Sequence, residues 1–148
     1  MESVTQFSVF LPNKPGVLAQ VSRQLAQAKI NVIAMTMMDS SEHGVLRLVI
    51  SDPDRLRAAL APLNLPTTET DVLVVEMSNR PGALAEICGR LAEAHVNISY
   101  AYCTTGSQGG KTKAIFKVAD TKKAMRVLKA PALRSRENHR SHRPMVLR

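Results

Sequence analysis

The sequence predicts an α+β fold of two tandem βαββαβ units, each an antiparallel sheet with its helices on one face. The prediction starts from a repeat: residues 13–19 read Asn-Lys-Pro-Gly-Val-Leu-Ala, and residues 79–85, 66 positions later, read Asn-Arg-Pro-Gly-Ala-Leu-Ala. A second Asn follows each copy, since Asn31 stands as far after Asn13 as Asn97 stands after Asn79. A repeat of this length indicates a duplicated chain with two related units.

The first unit opens with a segment that alternates between apolar and polar residues over positions 4 to 11. Such alternation is typical of a strand with one buried face. Phe7, Val9 and Leu11 form the predicted buried side, and Gln6 and Ser8 the opposite, solvent-facing side.

A helix is predicted after the Pro-Gly turn, because proline fits the first helical turn and an apolar stripe follows at helical spacing. The stripe is Leu18, Val21, Leu25 and Ala28. Strands over 30–38 and 45–50, a helix from Asp52 to Leu60 and a short strand over 67–70 complete the unit. The second copy repeats the order, with strands at 72–77, 97–103 and 113–118 and helices at 82–94 and 121–128. This order of elements is ferredoxin-like.

We divide the chain into a first unit (residues 1–69), a second unit (70–130) and a basic tail (131–148) that we expect to be disordered. The tail carries five Arg and one Glu, so +4 of the total formal charge of +8 lies there. The second unit lacks a fourth strand, and an unpaired first strand invites pairing with another domain or chain. Because units of about 60 to 65 residues are marginal alone, we also expect a homo-oligomer, in particular a dimer.

Several classes of protein are disfavoured by composition. The sequence has no apolar leader and no run of about 18 apolar residues, so we expect a cytoplasmic protein without a membrane partner. Cys88 and Cys103 lack metal-ligand or secretory spacing, so we expect reduced thiols. His139 and His142 have no third ligand near them in sequence, so we expect neither a metal nor a cofactor.

The repeated motif can bind a ligand in principle. A helix that begins directly after a strand offers unpaired N–H groups and a positive dipole end, and a glycine there lets a ligand approach the backbone. Asn side chains can contact both the ammonium and the carboxylate of a free amino acid. We expect the next strand to begin near the same end of the sheet, so that Asn31 and Asn97 complete pockets begun by Asn13 and Asn79, within one unit or between units.

Over roughly residues 1 to 130 the sequence resembles the ACT domain family of small regulatory modules. The Asn-Arg-Pro-Gly-x-Leu loop, and the second Asn at its fixed spacing from the first, are similar to the serine-binding domain of bacterial D-3-phosphoglycerate dehydrogenase. The resemblance implies a non-catalytic, allosteric module with an amino acid bound between units. The implied ligand-binding residues are Asn13, Gly16, Val17, Leu18, Asn31, Val32, Asn79, Gly82, Ala83, Leu84, Asn97 and Ile98.

One departure from that family concerns the position two residues before each loop Asn. The serine-binding domain has a His there, whereas this chain has Leu11 and Met77. Aliphatic side chains at these positions leave branched-chain or other apolar amino acids open as ligands.

Three other functions are compatible with this order of elements. The first is a regulatory subunit of a separate metabolic enzyme, similar to the small subunits of acetolactate synthase. Such a subunit differs from a free-standing sensor only in having a partner protein. Nucleic-acid binding on this topology needs stacking aromatics, and residues 45–50 contain none while 111–117 contain one, so nucleic-acid binding stays an alternative that these residues disfavour. Acylphosphatases share the topology but have a Gly-rich phosphate loop that is absent here, so we expect no enzyme activity.

Overall fold

The computed structural model describes residues 1–39, 43–104, 106 and 109–131. Its elements are β1 (Glu2–Pro12), α1 (Val17–Gln27), β2 (Val32–Asp39), β3 (His43–Ile50), α2 (Pro53–Leu60), a 3-10 turn (Ala61–Leu63), β4 (Thr67–Ser78), α3 (Ala83–Glu93), β5 (Ile98–Cys103), β6 (Lys111–Val118) and α4 (Thr121–Lys129). The predicted α+β fold of two βαββαβ units is confirmed. The disorder predicted for the tail concerns residues that lie, apart from Pro131, outside the described part of the chain.

The two units share one six-stranded antiparallel sheet with the strand order β2-β3-β1-β4-β6-β5. The segments expected as separate strands at 67–70 and 72–77 form the single strand β4. Its first part pairs with β1 as the fourth strand of the first unit, and its later part pairs with β6 as the first strand of the second. The division at residues 69 and 70 falls inside this strand and stays a prediction.

Pairing between β1 and β4 relates the units by an approximate twofold axis. Thr5 lies opposite Asp71, the residue 66 positions later, so each of the two stands opposite its own repeat counterpart. At the start of β1, Glu2 pairs with Val74, and this is the last pair between β1 and β4 at that end. The first strand of the second unit, which was expected to lack a neighbour, therefore has one within the same chain as far as Val74.

All four helices cover the same face of this sheet. In the first unit α1 and α2 pack on β1 and β3, and the buried residues of this core include Phe7, Leu25 and Leu56. In the second unit α3 and α4 pack in the same way, and that core includes Leu91 and Phe116. Along the described part of the chain, no helix is both long and apolar enough to cross a membrane.

The opposite face of the sheet is also partly buried, which contradicts the solvent exposure expected for Gln6 and Ser8. Gln6 is 0% exposed and Ser8 only 9%. The side-chain amide of Gln6 donates to the Tyr100 hydroxyl at 2.7 Å, and the Tyr102 hydroxyl donates to the amide oxygen at 2.9 Å. The guanidinium carbon of Arg47 lies 3.8 Å from the centre of the Tyr100 ring.

These contacts show that the sheet curls strongly. Tyr100 and Tyr102 belong to β5, at one edge, yet they reach β1 across β6 and β4. Burial raises the pKa of Tyr102, because the ionised phenol would lose solvation. At the counterpart position across the twofold axis, Ala34 and Val72 are buried in a small apolar cluster instead. β1 is therefore buried on both faces. Alternation of apolar and polar residues within one unit predicts burial of only one face.

The repeated glycines are required by backbone conformation. Gly16 and Gly82 precede α1 and α3 with φ values of 90° and 88°, in the left-handed region that L-residues with a Cβ disfavour. Nothing lies within 4 Å of a Cβ built on Gly16, so the constraint is conformational and not steric. The expected role in ligand approach is not needed to explain these residues.

We predict that Gln6→Ala lowers the free energy of unfolding by about 2–4 kcal/mol, because two partly buried tyrosine hydroxyls lose their partner and a cavity forms. Urea denaturation measures the change. Gln20→Ala, at an exposed position of α1, should shift stability by less than about 0.5 kcal/mol. Equal effects of the two substitutions would contradict a stabilising role for the Gln6 cluster.

Gly82→Ala and Gly89→Ala should change stability in opposite directions. The first forces a Cβ into a left-handed conformation and should cost about 1 kcal/mol. The second lies inside α3 with nothing within 4 Å of the new Cβ, so it should stabilise the protein by about 0.5–1 kcal/mol. Thermal unfolding of both variants tests this, and a stabilising Gly82→Ala would be inconsistent with the positive φ.

Candidate ligand-binding site

Asn13 and Asn31 lie at opposite ends of the first unit, contrary to the expectation that they share one end. Pro12, next to Asn13, pairs with His43, whereas Val32, next to Asn31, pairs with Ile50. The whole length of β3 separates the two ends, which corresponds to roughly 23 Å in a strand. The reason is that α1 runs back along the sheet before β2 begins. No site within one unit joins the two Asn residues.

Antiparallel pairing of β1 and β4 instead places the Asn residues of different units at the same end. The start of β1 lies beside Val74 of β4, so β4 runs on toward Asn79 at the end where β2 begins, directly after Asn31. By the same symmetry Asn13 and Asn97 share the other end. Of the two arrangements left open by the sequence, the geometry therefore favours the one between units.

At the end that holds Asn31, the curl of the sheet forms a cleft of about 360 Å³ between the units, which we call the charged cleft. One wall comes from the start of β2 and the other from β4, β6 and the segment after β5. The lining residues are Asn31, Val32, Ile33, Glu76, Thr104, Lys111, Thr112 and Lys113. Its size suits a small molecule.

The charged cleft contains both signs of charge. The ammonium group of Lys111 donates to the Glu76 carboxylate at 2.6 Å, and this bond lowers the pKa of Glu76 and raises that of Lys111. The pair is exposed to solvent, so water screens it and a competing ligand can displace it. Lys113 stands opposite Glu76 in the strand pairing, and its ammonium makes no hydrogen bond to the described residues.

Asn79 supports the charged cleft without lining it. Its side-chain amide donates to the carbonyl of Gly106 at 2.9 Å, and its backbone N–H donates to the carbonyl of Gly110 at 2.8 Å. Gly109 donates in turn to the Asn79 carbonyl at 3.3 Å. These bonds hold the end of the β5–β6 connection next to Lys111.

Helices α1 and α3, which follow the repeated motif, begin without a side-chain cap. By contrast, Asp52 accepts a hydrogen bond from the N–H of Arg55 at the start of α2, and Asp120 does so from Lys123 at the start of α4. A helix start without a capping side chain leaves N–H groups for another acceptor, such as a carboxylate.

A second, apolar groove of about 300 Å³ lies on the helix face between α1 and β2. It shares Asn31 and Val32 with the charged cleft. Leu18, another residue of the predicted set, also lines this groove, together with Met35 and Leu46. Asn31 thus stands where a charged cleft and an apolar groove adjoin.

The remaining predicted residues do not line the charged cleft. Asn13 and Asn97 are exposed at the other end of the molecule, and Leu84 is exposed on α3. Val17 and Ile98 are half-buried, each packed against the core of its own unit, and Ala83 is buried at the start of α3.

Leu11 and Met77 also belong to the cores, Leu11 buried and Met77 packed at the edge. Their aliphatic character thus serves packing.

Sequence reasoning missed the charged residues of the cleft. Glu76, Lys111 and Lys113 lie outside the repeated motif, and their counterparts in the first unit are Phe10, His43 and Val45. Only this difference between the copies was available as a signal.

Three basic side chains of the sheet contact other side chains. The Lys117 ammonium donates to the Thr70 hydroxyl at 2.7 Å, Lys111 is paired with Glu76, and Arg47 covers the Tyr100 ring that a base would need for stacking. Among residues whose positions the structure describes, no group of three or more His, Cys, Asp or Glu is placed to hold a metal ion.

Comparison with known proteins identifies the family. The model of the ACT domain pair matches residues 2–140. Protein BT0572 from Bacteroides thetaiotaomicron is 33% identical with a TM-score of 0.79, covering 86% of this chain and 87% of that one. The regulatory subunit of aspartate kinase from Thermus thermophilus, in its ligand-free form, is 16% identical with a TM-score of 0.66, covering 87% and 96%.

Escherichia coli aspartokinase III, in complex with lysine and aspartate, is 18% identical with a TM-score of 0.55, and the match covers 87% of this chain and 30% of that one. No curated protein matches the sequence. Since the family model spans nearly all of the chain, the protein belongs to the ACT domain pair family.

Proposed function

We propose that this protein is a non-catalytic regulatory module that binds a free amino acid in the charged cleft between its two ACT-like units. The observation that carries the proposal is the composition of that cleft. It combines an Asn side chain from one unit with a carboxylate and an unbonded ammonium from the other. A free amino acid presents the complementary pair of charges on adjacent atoms.

The chemistry assigns a role to each group. The Glu76 carboxylate would bind the ammonium of the ligand and would release Lys111 in doing so. The Lys113 ammonium would bind the ligand carboxylate, since it has no other hydrogen bond among the described residues. The Asn31 amide has both donors and an acceptor, so it can contact either end.

The side chain of the ligand would extend from Asn31 toward the apolar groove. That groove is lined by Leu18, Met35 and Leu46, which suit an aliphatic group better than a hydroxyl. An apolar amino acid therefore fits better than serine. The flexible thioether of Met35 can adapt to different aliphatic shapes.

Regulation would follow from the position of the ligand between units. A ligand that contacts both units stabilises the curled arrangement over a looser one, by no more than its difference in affinity for the two. Two structural relatives support a regulatory role: one is described as a regulatory subunit of aspartate kinase, and another was determined with lysine and aspartate. We propose a cytoplasmic location for such a sensor.

An edge strand supports association with a partner, either a second copy or a separate metabolic enzyme. Among the described strands β2 has a neighbour on one side only, and Met35, Met37 and Met38 on it are 46–51% exposed, with Leu18 of α1 beside Met35. Exposed apolar side chains along a free edge are typical of an interface. A dimer seen by analytical ultracentrifugation would favour self-association, and co-purification with an enzyme would favour a regulatory subunit.

We predict that Asn31→Ala weakens binding of the best amino-acid ligand by about 10- to 100-fold, the loss expected when a hydrogen bond to a charged group is removed. A thermal-shift screen of the twenty amino acids identifies the ligand, and titration calorimetry measures the affinity. Asn97→Ala is the matched control, because Asn97 is the exposed counterpart at the other end. Equal losses from both substitutions would refute a single site at Asn31.

Substitution of the charged groups gives a second test. Glu76→Gln should weaken binding of the amino acid by about tenfold or more, while the affinity for the corresponding carboxylic acid without an ammonium should fall much less. Lys113→Met should instead weaken binding of the acid and of the amino acid alike. Lys122→Met, at an exposed position of α4, controls for net charge, and an unchanged affinity in Glu76→Gln would exclude Glu76 from the site.

A further inference from the structure

The guanidinium of Arg47 lies inside the curl of the sheet with few hydrogen-bond acceptors around it. Its carbon lies 3.8 Å from the centre of the Tyr100 ring. Its Nε atom is buried and has no hydrogen-bond partner within the described part of the chain. Its Nη1 atom donates to the thioether sulfur of Met38 at 3.0 Å. Since Arg47 belongs to none of the ion pairs among the described residues, a permanent positive charge here has a thioether as its acceptor.

The register of β2 and β3 brings Met38 to Arg47. Thr36 lies opposite Arg47 in this pairing, and Met38 lies opposite Val45. Because alternate residues of a strand share a face, Met38 is the diagonal neighbour of Arg47, within reach of a long side chain. Both side chains are on the face of the sheet that carries no helix, where Arg47 covers the ring of Tyr100.

The contact between Arg47 and Met38 is weak because a thioether sulfur is a poor hydrogen-bond acceptor. Oxidation of the sulfur would change this. A sulfoxide has a polarised S–O bond, and a hydrogen bond from a charged N–H to its oxygen is considerably stronger than one to a thioether. The Met38 side chain is accessible to a small oxidant, since the residue is 51% exposed.

We propose that Met38 is a site of reversible oxidation by peroxides and that Arg47 binds the resulting sulfoxide. A lone pair of the sulfur attacks one oxygen of hydrogen peroxide, so that an S–O bond forms as the O–O bond breaks. The sulfur is oxidised, the peroxide is reduced, and its second oxygen leaves as water with both protons. Because Arg47 occupies one lone pair, the other reacts, and rotation about the Cγ–Sδ bond then turns the new oxygen toward the guanidinium.

The two neighbouring methionines of β2 are exposed to the same degree but lie in different surroundings. Met35 is 47% exposed and Met37 46%. They lie opposite Leu48 and Leu46, on the helix face of the sheet. A sulfoxide oxygen there would stand beside apolar side chains, where it weakens packing. Exposure therefore does not distinguish Met38 from the other two residues, whereas its contact with Arg47 does.

Oxidation of Met38 would strengthen a contact between the two units. Arg47 belongs to β3 of the first unit, and Tyr100 belongs to β5 of the second. A guanidinium held by a strong acceptor stays over the Tyr100 ring for more of the time, which favours the curled sheet. Oxidation at this position should therefore stabilise the fold, and amino-acid binding in the charged cleft is not needed for this effect.

Peroxide treatment of the full chain tests the proposal. In the variant Met35→Leu/Met37→Leu, Met38 is the remaining exposed methionine of β2, and peptide mass spectrometry should show one added oxygen on it. The midpoint of thermal unfolding should rise by about 2–6 °C, because a strong hydrogen bond replaces a weak one. Methionine sulfoxide reductase should reverse the rise, as two thiols become a disulfide and the oxygen leaves as water. The matched control adds Met38→Leu, and its midpoint should not rise.

Arg47→Leu in the same background tests the role of the guanidinium, since oxidation should then no longer stabilise the protein. If this variant fails to fold, NMR of the arginine side chains replaces it, and exchange of the Arg47 Nη protons should slow by roughly tenfold on oxidation of Met38. The proposal is wrong if Met38 resists peroxide or if its oxidation leaves the midpoint unchanged or lower. An equal rise in the Met38→Leu or Arg47→Leu variant, or unchanged Nη exchange, would also overturn it.

Discussion

The antiparallel pairing of β1 with β4 is the constraint on which the rest of this structure depends. β1 is the first strand of the first unit, and the later part of β4 is the first strand of the second unit. In the shared sheet each of them also lies beside the other unit. Small units that would be marginal alone thereby share one continuous sheet and one network of backbone hydrogen bonds. The pairing also sets which ends of the units meet, so it decides that any site formed by the repeated Asn residues lies between units.

The Gln6 cluster indicates how the curl of the sheet is maintained. A fully buried amide is costly unless its donors and acceptors are paired, and here the pairing comes from the far edge strand. Straightening the sheet would break both tyrosine contacts and expose Ala34 and Val72 on the other side of the axis. The curl is thus held by the polar contacts of Gln6 and by an apolar cluster against which Tyr102 also packs.

The fold was largely predictable because the repeat fixes the order of the elements twice. Helix stripes and strand alternation placed almost every element, and the duplicated loop identified the copies. Burial of Gln6 was not predictable, since it depends on partners in β5, far away in sequence.

For the site, Asn31 and Val32 were predicted and do line the charged cleft, whereas Asn13 and Asn97 lie at the other end. The prediction was wrong because it placed Asn13 and Asn31 at the same end of the sheet, although α1 carries the chain from one end to the other between them. Glu76 and Lys113 carry no motif, and only tertiary structure brings them opposite Asn31.

The approximate twofold axis through Thr5 and Asp71 has a consequence for how such a protein can diverge. A symmetric homodimer of single units would present two identical clefts, and any substitution would change both at once. In a single chain each cleft is encoded separately. One end here carries Glu76, Lys111 and Lys113, and the other carries Phe10, His43 and Val45 at the equivalent positions. Two units joined in one chain therefore allow a symmetric scaffold to hold two chemically different surfaces, of which one can be selected for a ligand while the other is selected for something else.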